Sequence, residues 1–191
     1  MRSSRLAPEA PARRVALPVV VLALALAVAG CGIGAPRGPV VTPPRESASP
    51  EPTVSAAVAQ TRLQVAGALA TAGFQLLVPT QPFRPPESPL LTSAPRAVFQ
   101  VALPDDPTHG YIVIYEFPDG ASASIAGRQM AGYLGTGNSR VQFPPDSQHV
   151  LRQIGTTLVF YSWSPVNSPG PATATIGQVL GTIGQGFDIP R

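Results

Sequence analysis

Few residues in this chain are equipped for chemistry. There is one thiol, Cys31, and there are two imidazoles, His109 and His149. Asp105, Asp106 and His109 share one short segment and together offer two carboxylates and a ring nitrogen to a metal. Pro107 breaks the helix that would set them on one face, and no second ligand pair is visible, so a solvated turn is the expectation. Ser122 and Ser124, in Gly120-Ala121-Ser122-Ala123-Ser124, lack the second glycine of a nucleophile elbow and open a helix instead of leaving a strand. The glycines of Gly132-Tyr133-Leu134-Gly135-Thr136-Gly137 follow a helix, whereas a phosphate cradle needs them before one. Glu116 is the acid inside a predicted strand, and an ion pair with Arg128, Arg140 or Arg152, or a solvated strand end, is expected of it. No metal, cofactor or catalytic group is therefore assigned.

The thiol points to the membrane. Arg2, Arg5, Arg13 and Arg14 precede an apolar run from Val15 to Ala29, the layout of an export signal with a charged start and a short hydrophobic centre. Fifteen helical residues reach about 22 Å, short of a bilayer core of about 30 Å, and Pro18 further opposes a spanning helix. The run ends Val28-Ala29-Gly30-Cys31. This resembles the lipobox of bacterial lipoproteins, with Val28 where Leu is commoner. The resemblance covers residues 1–31 and implies a diacylglyceryl group on Cys31, cleavage before it, and a protein held on the extracytoplasmic face of the cell membrane. Two acyl chains hold a membrane where one is marginal. The Arg13-Arg14 pair also suggests a twin-arginine signal, but its flanks match poorly and ordinary unfolded export is expected.

A lipidated Cys31 leaves the rest of the chain without a thiol, which excludes disulfides, a cysteine nucleophile and cysteine-bound metal. All 13 basic residues are Arg. The leader carries four of them and Glu9, so nine Arg face nine acids in the mature chain, and the clustered charge that nucleic acid demands is missing.

Residues 31–53, with their Gly, Pro and Ser, read as a tether behind a signal peptide at 1–30. The tether spans roughly 25 Å as a coil or about 68 Å as polyproline II. A domain at 54–191 follows. Small and apolar residues at Val54, Ala57, Val58, Thr61, Val65, Ala68, Leu69 and Ala72 predict a helix, with Thr53 as its cap and Gly73 as its stop. Phe74 to Val78 predicts a short strand, and six prolines between Pro79 and Pro95 predict a long loop. Ala97–Leu103 with Tyr111–Phe117, and His149–Ile154 with Thr157–Trp163, predict two hairpins. A helix after Asp119 running to Leu134, a strand from Ser139 to Phe143 and a last helix from Ala172 to Phe187 complete the order.

The expected fold is α+β: an antiparallel sheet of about five strands built from two hairpins, with about three helices on it. The stretch Tyr115-Glu116-Phe117-Pro118, followed by an Ala-rich helix and a hairpin, is similar to a pattern in uncharacterised extracytoplasmic bacterial lipoproteins. That likeness would cover residues 54–187 and implies no activity or site residues.

Both faces of Tyr111–Phe117 and Thr157–Trp163 are apolar, so both need cover. If the hairpins are neighbours, Tyr111, Tyr115, Tyr161 and Trp163 form a candidate aromatic binding surface. The expected function is a lipid-anchored, non-enzymatic binding module whose partner is a protein, a second copy or a small apolar ligand. The alternatives are a hydrolase-like enzyme using His109 or His149, or a purely structural envelope lipoprotein.

Overall fold

The computed structural model describes residues 54–190. The expected signal peptide, Cys31, the expected tether and the expected Thr53 cap lie outside the described residues. Eleven elements follow in the order α1 (Ala56–Thr71), β1 (Leu76–Leu77), α2 (Pro89–Ser93), β2 (Arg96–Val101), β3 (Tyr111–Glu116), α3 (Gly120–Leu134), α4 (Gly137–Arg140), β4 (Gln148–Ile154), β5 (Thr157–Trp163), α5 (Pro171–Gly181) and β6 (Gln185–Gly186). The strands form one antiparallel sheet in the order β1-β2-β3-β5-β4-β6. The expected α+β class is observed, with both hairpins in place and β3 beside β5.

Local chemistry sets the boundaries. Ser55, not Thr53, caps α1, its hydroxyl accepting from the Val58 N–H at 3.2 Å. Gly73 at φ +79° ends the helix, and the Phe74 N–H closes back on the Leu69 carbonyl. Asp119 caps α3 as expected, accepting from the Ser122 N–H at 2.7 Å. Gly155 at φ +58° turns β4 into β5 over two residues.

The central strands are buried on both faces, and each face has its own cover. Ile112, Ile114, Val159 and Tyr161 meet Val58, Val65 and Leu69 of α1 and Ile176 and Leu180 of α5. Val113, Tyr115, Leu158 and Phe160 meet Ala123, Ala126 and Met130 of α3, with Leu91 of α2. Fully burying one such side chain contributes about 1.5–3 kcal/mol. Across the first layer the Thr61 and Thr157 hydroxyls share a buried hydrogen bond of 2.8 Å.

The helices do not all cover one side, because β3 and β5 leave neither face polar. The Pro-rich loop completes the second face. Phe83 stacks on Tyr111 with ring centroids 4.2 Å apart, and Ser88 and Leu91 are fully buried.

Two other expectations are corrected. Residues 139–143 form no strand. Ser139 instead donates to the Leu134 carbonyl at 2.8 Å and the Thr136 carbonyl at 2.9 Å, closing the end of α3 with the turn α4. The last helix stops at Gly181, and Gly184 at φ +57° redirects the chain. Phe187 therefore leaves the Ile176 side and packs with the opposite layer, over Gly127 of α3.

A Cβ at position 127 would overlap the Phe187 ring. Gly127→Ala is expected to cost about 2 kcal/mol through this overpacking. Urea denaturation of the variant, and of a Gly127→Ala/Phe187→Leu pair that relieves part of the loss, checks it.

Candidate functional site

The four candidate aromatic residues do not make one surface. Tyr111 and Tyr115 project from β3 toward α3, whereas Tyr161 and Trp163 project from β5 toward α1 and α5. The alternation of side chains along paired strands decides this. Tyr115 and Tyr161 are fully buried, and Tyr111 and Trp163 are half-buried. Trp163 stacks on Tyr161 at 5.3 Å and lies over Gly177, where a Cβ would sit 2.5 Å from the indole. Two of these rings are core and two are half-buried on opposite faces of the sheet, so the expected single aromatic surface does not form.

The Asp105–His109 loop is a clasp. Asp106 accepts from the Ser168 hydroxyl and pairs with His109 Nδ1 at 2.5 Å, joining the β2–β3 loop to the loop before α5. Burial pushes the Asp106 carboxyl up, but the hydrogen bonds from Ser168 and His109 and the charge of His109 hold it below its ordinary value. The carboxylate stands between hydroxyl and imidazole, so His109 has no access to the Ser168 proton. Nucleophile activation needs the imidazole in the middle. Among the described residues no group of three or more His, Cys, Asp or Glu is placed to hold a metal. Ser122 and Ser124 bond to neither histidine; the Ser124 hydroxyl accepts from Arg128 at 2.6 Å.

Glu116 forms no ion pair with Arg128, Arg140 or Arg152 among the described residues. The buried acid is Glu87, inside the Pro-rich loop, with a side chain only 2% exposed. It accepts from the Tyr115 hydroxyl at 2.8 Å and pairs with Arg84 at 3.0 Å and Arg96 at 3.4 Å. Sequence reading passed it over because it sits outside every regular element. Its one local signal was Arg84 three residues before it.

A cleft of about 900 Å³ opens beside the start of β4. It is lined by Phe143, Pro144 and Pro145 from the loop after α4, by Gln148 and His149 at the start of β4, and by Phe187 to Pro190. Arg140 and Asp188 bring one charge of each sign to its lining. Asp146 fixes the rim, accepting from Ser164 at 2.7 and 2.9 Å and from the Val166 N–H at 2.7 Å. Those bonds, led by the one from Val166, hold its carboxyl below the ordinary value. A second cleft of about 400 Å³ uses Phe187, Asp188 and Pro190 as well, so residues 187–190 form a strap between the two.

His149 is the cleft's titratable ring. Phe143 meets it edge-on at 4.8 Å and Phe160 lies nearly parallel at 6.1 Å. Its Nδ1 is buried and has no hydrogen-bond partner among the described residues. No serine or carboxylate pairs with it, so the arrangement suits contact rather than proton transfer.

Comparison with known proteins finds no matching family model, no similar curated protein and no similar solved structure.

Desolvation lowers the His149 pKa from 6.5 to about 4. The unfolded chain then binds a proton between these values that the folded chain refuses. Stability is full above pH 6.5 and declines as the pH falls toward 4, by about 2 kcal/mol after discounting for partial exposure. His149→Leu should flatten this decline in urea titrations run from pH 7 to pH 4.

Proposed function

We propose that this chain is a lipid-anchored protein of the extracytoplasmic face of a bacterial membrane, and that its domain is a non-catalytic binding module. The cleft beside β4 is its binding site. The anchor half of this reading rests on Val28-Ala29-Gly30-Cys31 at the end of a charged and then apolar leader. The binding half rests on one observation: a cleft of about 900 Å³ whose aromatic and proline walls carry Arg140 and Asp188. Such a volume lies in the range of ligand sites. With both sheet faces covered from within the chain, the cleft replaces the aromatic strand face as the place for a partner.

The hydrolase reading loses ground because the histidines lack a catalytic arrangement. His109 is tied to a carboxylate that also takes the serine, and His149 has no polar partner.

Mass spectrometry of protein extracted from its native membrane in mild detergent tests both halves. The expected mature chain starts at Cys31 and carries a diacylglyceryl mass. Cys31→Ala should leave the leader uncut and the mass unmodified. A co-purifying species should be lost at least tenfold on Phe143→Ala with Arg140→Ala. An unmodified sulfur in the wild-type protein removes the anchor. A wild-type chain that enriches nothing favours a purely structural envelope role.

A further inference from the structure

The sheet edge beside the cleft is only half used. β4 pairs with β5 along its whole length, from Gln148↔Trp163 to Ile154↔Thr157. On its other side it pairs with β6 at Arg152↔Gly186 and Gln153↔Gln185. The Phe187 N–H then reaches the Leu151 carbonyl at 3.3 Å, and the strap diverges. In an antiparallel ladder the backbone groups of every second residue face the same side. Leu151 faces β6, so the N–H and C=O of His149 face outward too. Among the described residues no backbone group bonds to them on that side. Pro190, further along the strap, has no N–H to offer.

This open edge and the cleft are one feature, since Gln148 and His149 line the cleft together with Asp188, Ile189 and Pro190. An extended chain satisfies such an edge with backbone hydrogen bonds, while alternate side chains enter the adjoining pocket. Resting on the cleft as the binding site, we propose that the slot takes an extended segment of a partner protein as an added strand on β4 at Gln148–Val150. That segment carries an apolar side chain and a carboxylate. The apolar group meets Phe143 and Phe187. The carboxylate meets Arg140, which is exposed and forms no ion pair among the described residues. Asp188, in the same lining, repels an acid and so favours its placement at Arg140. A second copy offering its own Gln148–Val150 edge has no carboxylate within that segment, and its neighbouring Asp146 is already held by Ser164 and Val166.

The test uses the full-length chain in mild detergent and acetylated hexapeptides of alternating threonine and valine. They end in a free carboxylate, in an amide, or in an amide with a glutamate before it. Amide hydrogen exchange in Gln148–Leu151 should slow on binding. The free carboxylate or the glutamate peptide should bind at least fivefold tighter than the plain amide, which tells a chain terminus from an acidic side chain. Arg140→Gln should remove that preference. N-methylation of alternate peptide nitrogens should weaken binding at least tenfold in one register and little in the other. Equal loss in both registers, or protection elsewhere, overturns the added strand. Contact at Phe143 with unchanged exchange in Gln148–Leu151 also overturns it while leaving the cleft as a site. No contact at the cleft by the peptides or by any co-purifying species overturns both readings. Dimerisation that protects the same amides overturns the foreign partner in favour of a second copy.

Discussion

Two neighbouring strands that are apolar on both faces govern this structure. Ile112, Val113, Ile114 and Tyr115 of β3, and Leu158, Val159, Phe160 and Tyr161 of β5, are all buried. Antiparallel sheets commonly leave one face to water, but these strands leave none. One pair of long helices, α1 and α5, seals one face. On the other face α3 is the one long helix, and the gap is filled by the Pro-rich loop with its short α2 on one flank and the strap on the other. Loop and strap are thus parts of the core, and their paths follow from the need to dry Tyr115, Phe160 and their neighbours.

Irregular chain has no ladder to hold it, so side-chain acids do. Glu87 fastens the Pro-rich loop to Tyr115 and Arg96 of the sheet. Burial, and then the Glu87 carboxylate, push the Tyr115 hydroxyl up and keep it a hydrogen-bond donor. Asp106 joins loops 62 residues apart, and Asp146 ties the cleft rim to the loop after β5. A buried ion pair such as that of Glu87 adds little net stability against an apolar replacement. The effect of the three acids is positional, since each carboxylate accepts from donors on a different segment.

The regular elements were legible because periodicity and caps speak locally. Asp119, Gly73 and the Gly155-Thr156 turn all sit where the pattern placed them. What was not legible depends on distant partners. Ser139 to Phe143 alternates like a strand, yet the Ser139 hydroxyl finds two carbonyls at the end of α3. Phe187 continues the apolar stripe of α5, yet Gly184 turns it to the other layer, where Gly127 leaves room for its ring. The aromatic quartet failed as a surface for a related reason. Residue spacing gives the parity of each strand but not its register with its neighbour. Here Tyr115 pairs with Leu158, and Ile112 with Tyr161, so the β3 and β5 tyrosines fall on opposite faces. The cleft was invisible for the same cause, since its walls come from three separate stretches of chain.

The strap's geometry explains why the cleft lies where it does. Arg152 clamps the strap's root, donating to the Ile183 carbonyl at 2.6 Å and the Gly184 carbonyl at 2.7 Å. Phe187 anchors it over α3, and Pro190 ends against Gly135. Between these fixed points the chain must leave β4 after two paired residues in order to cross α3. The second core layer therefore draws its last aromatic ring from a segment that would otherwise have completed the sheet edge. The open backbone at His149 follows from where the strap turns: Phe187 still bonds to the Leu151 carbonyl, and the chain then runs to Pro190 against Gly135 instead of along β4.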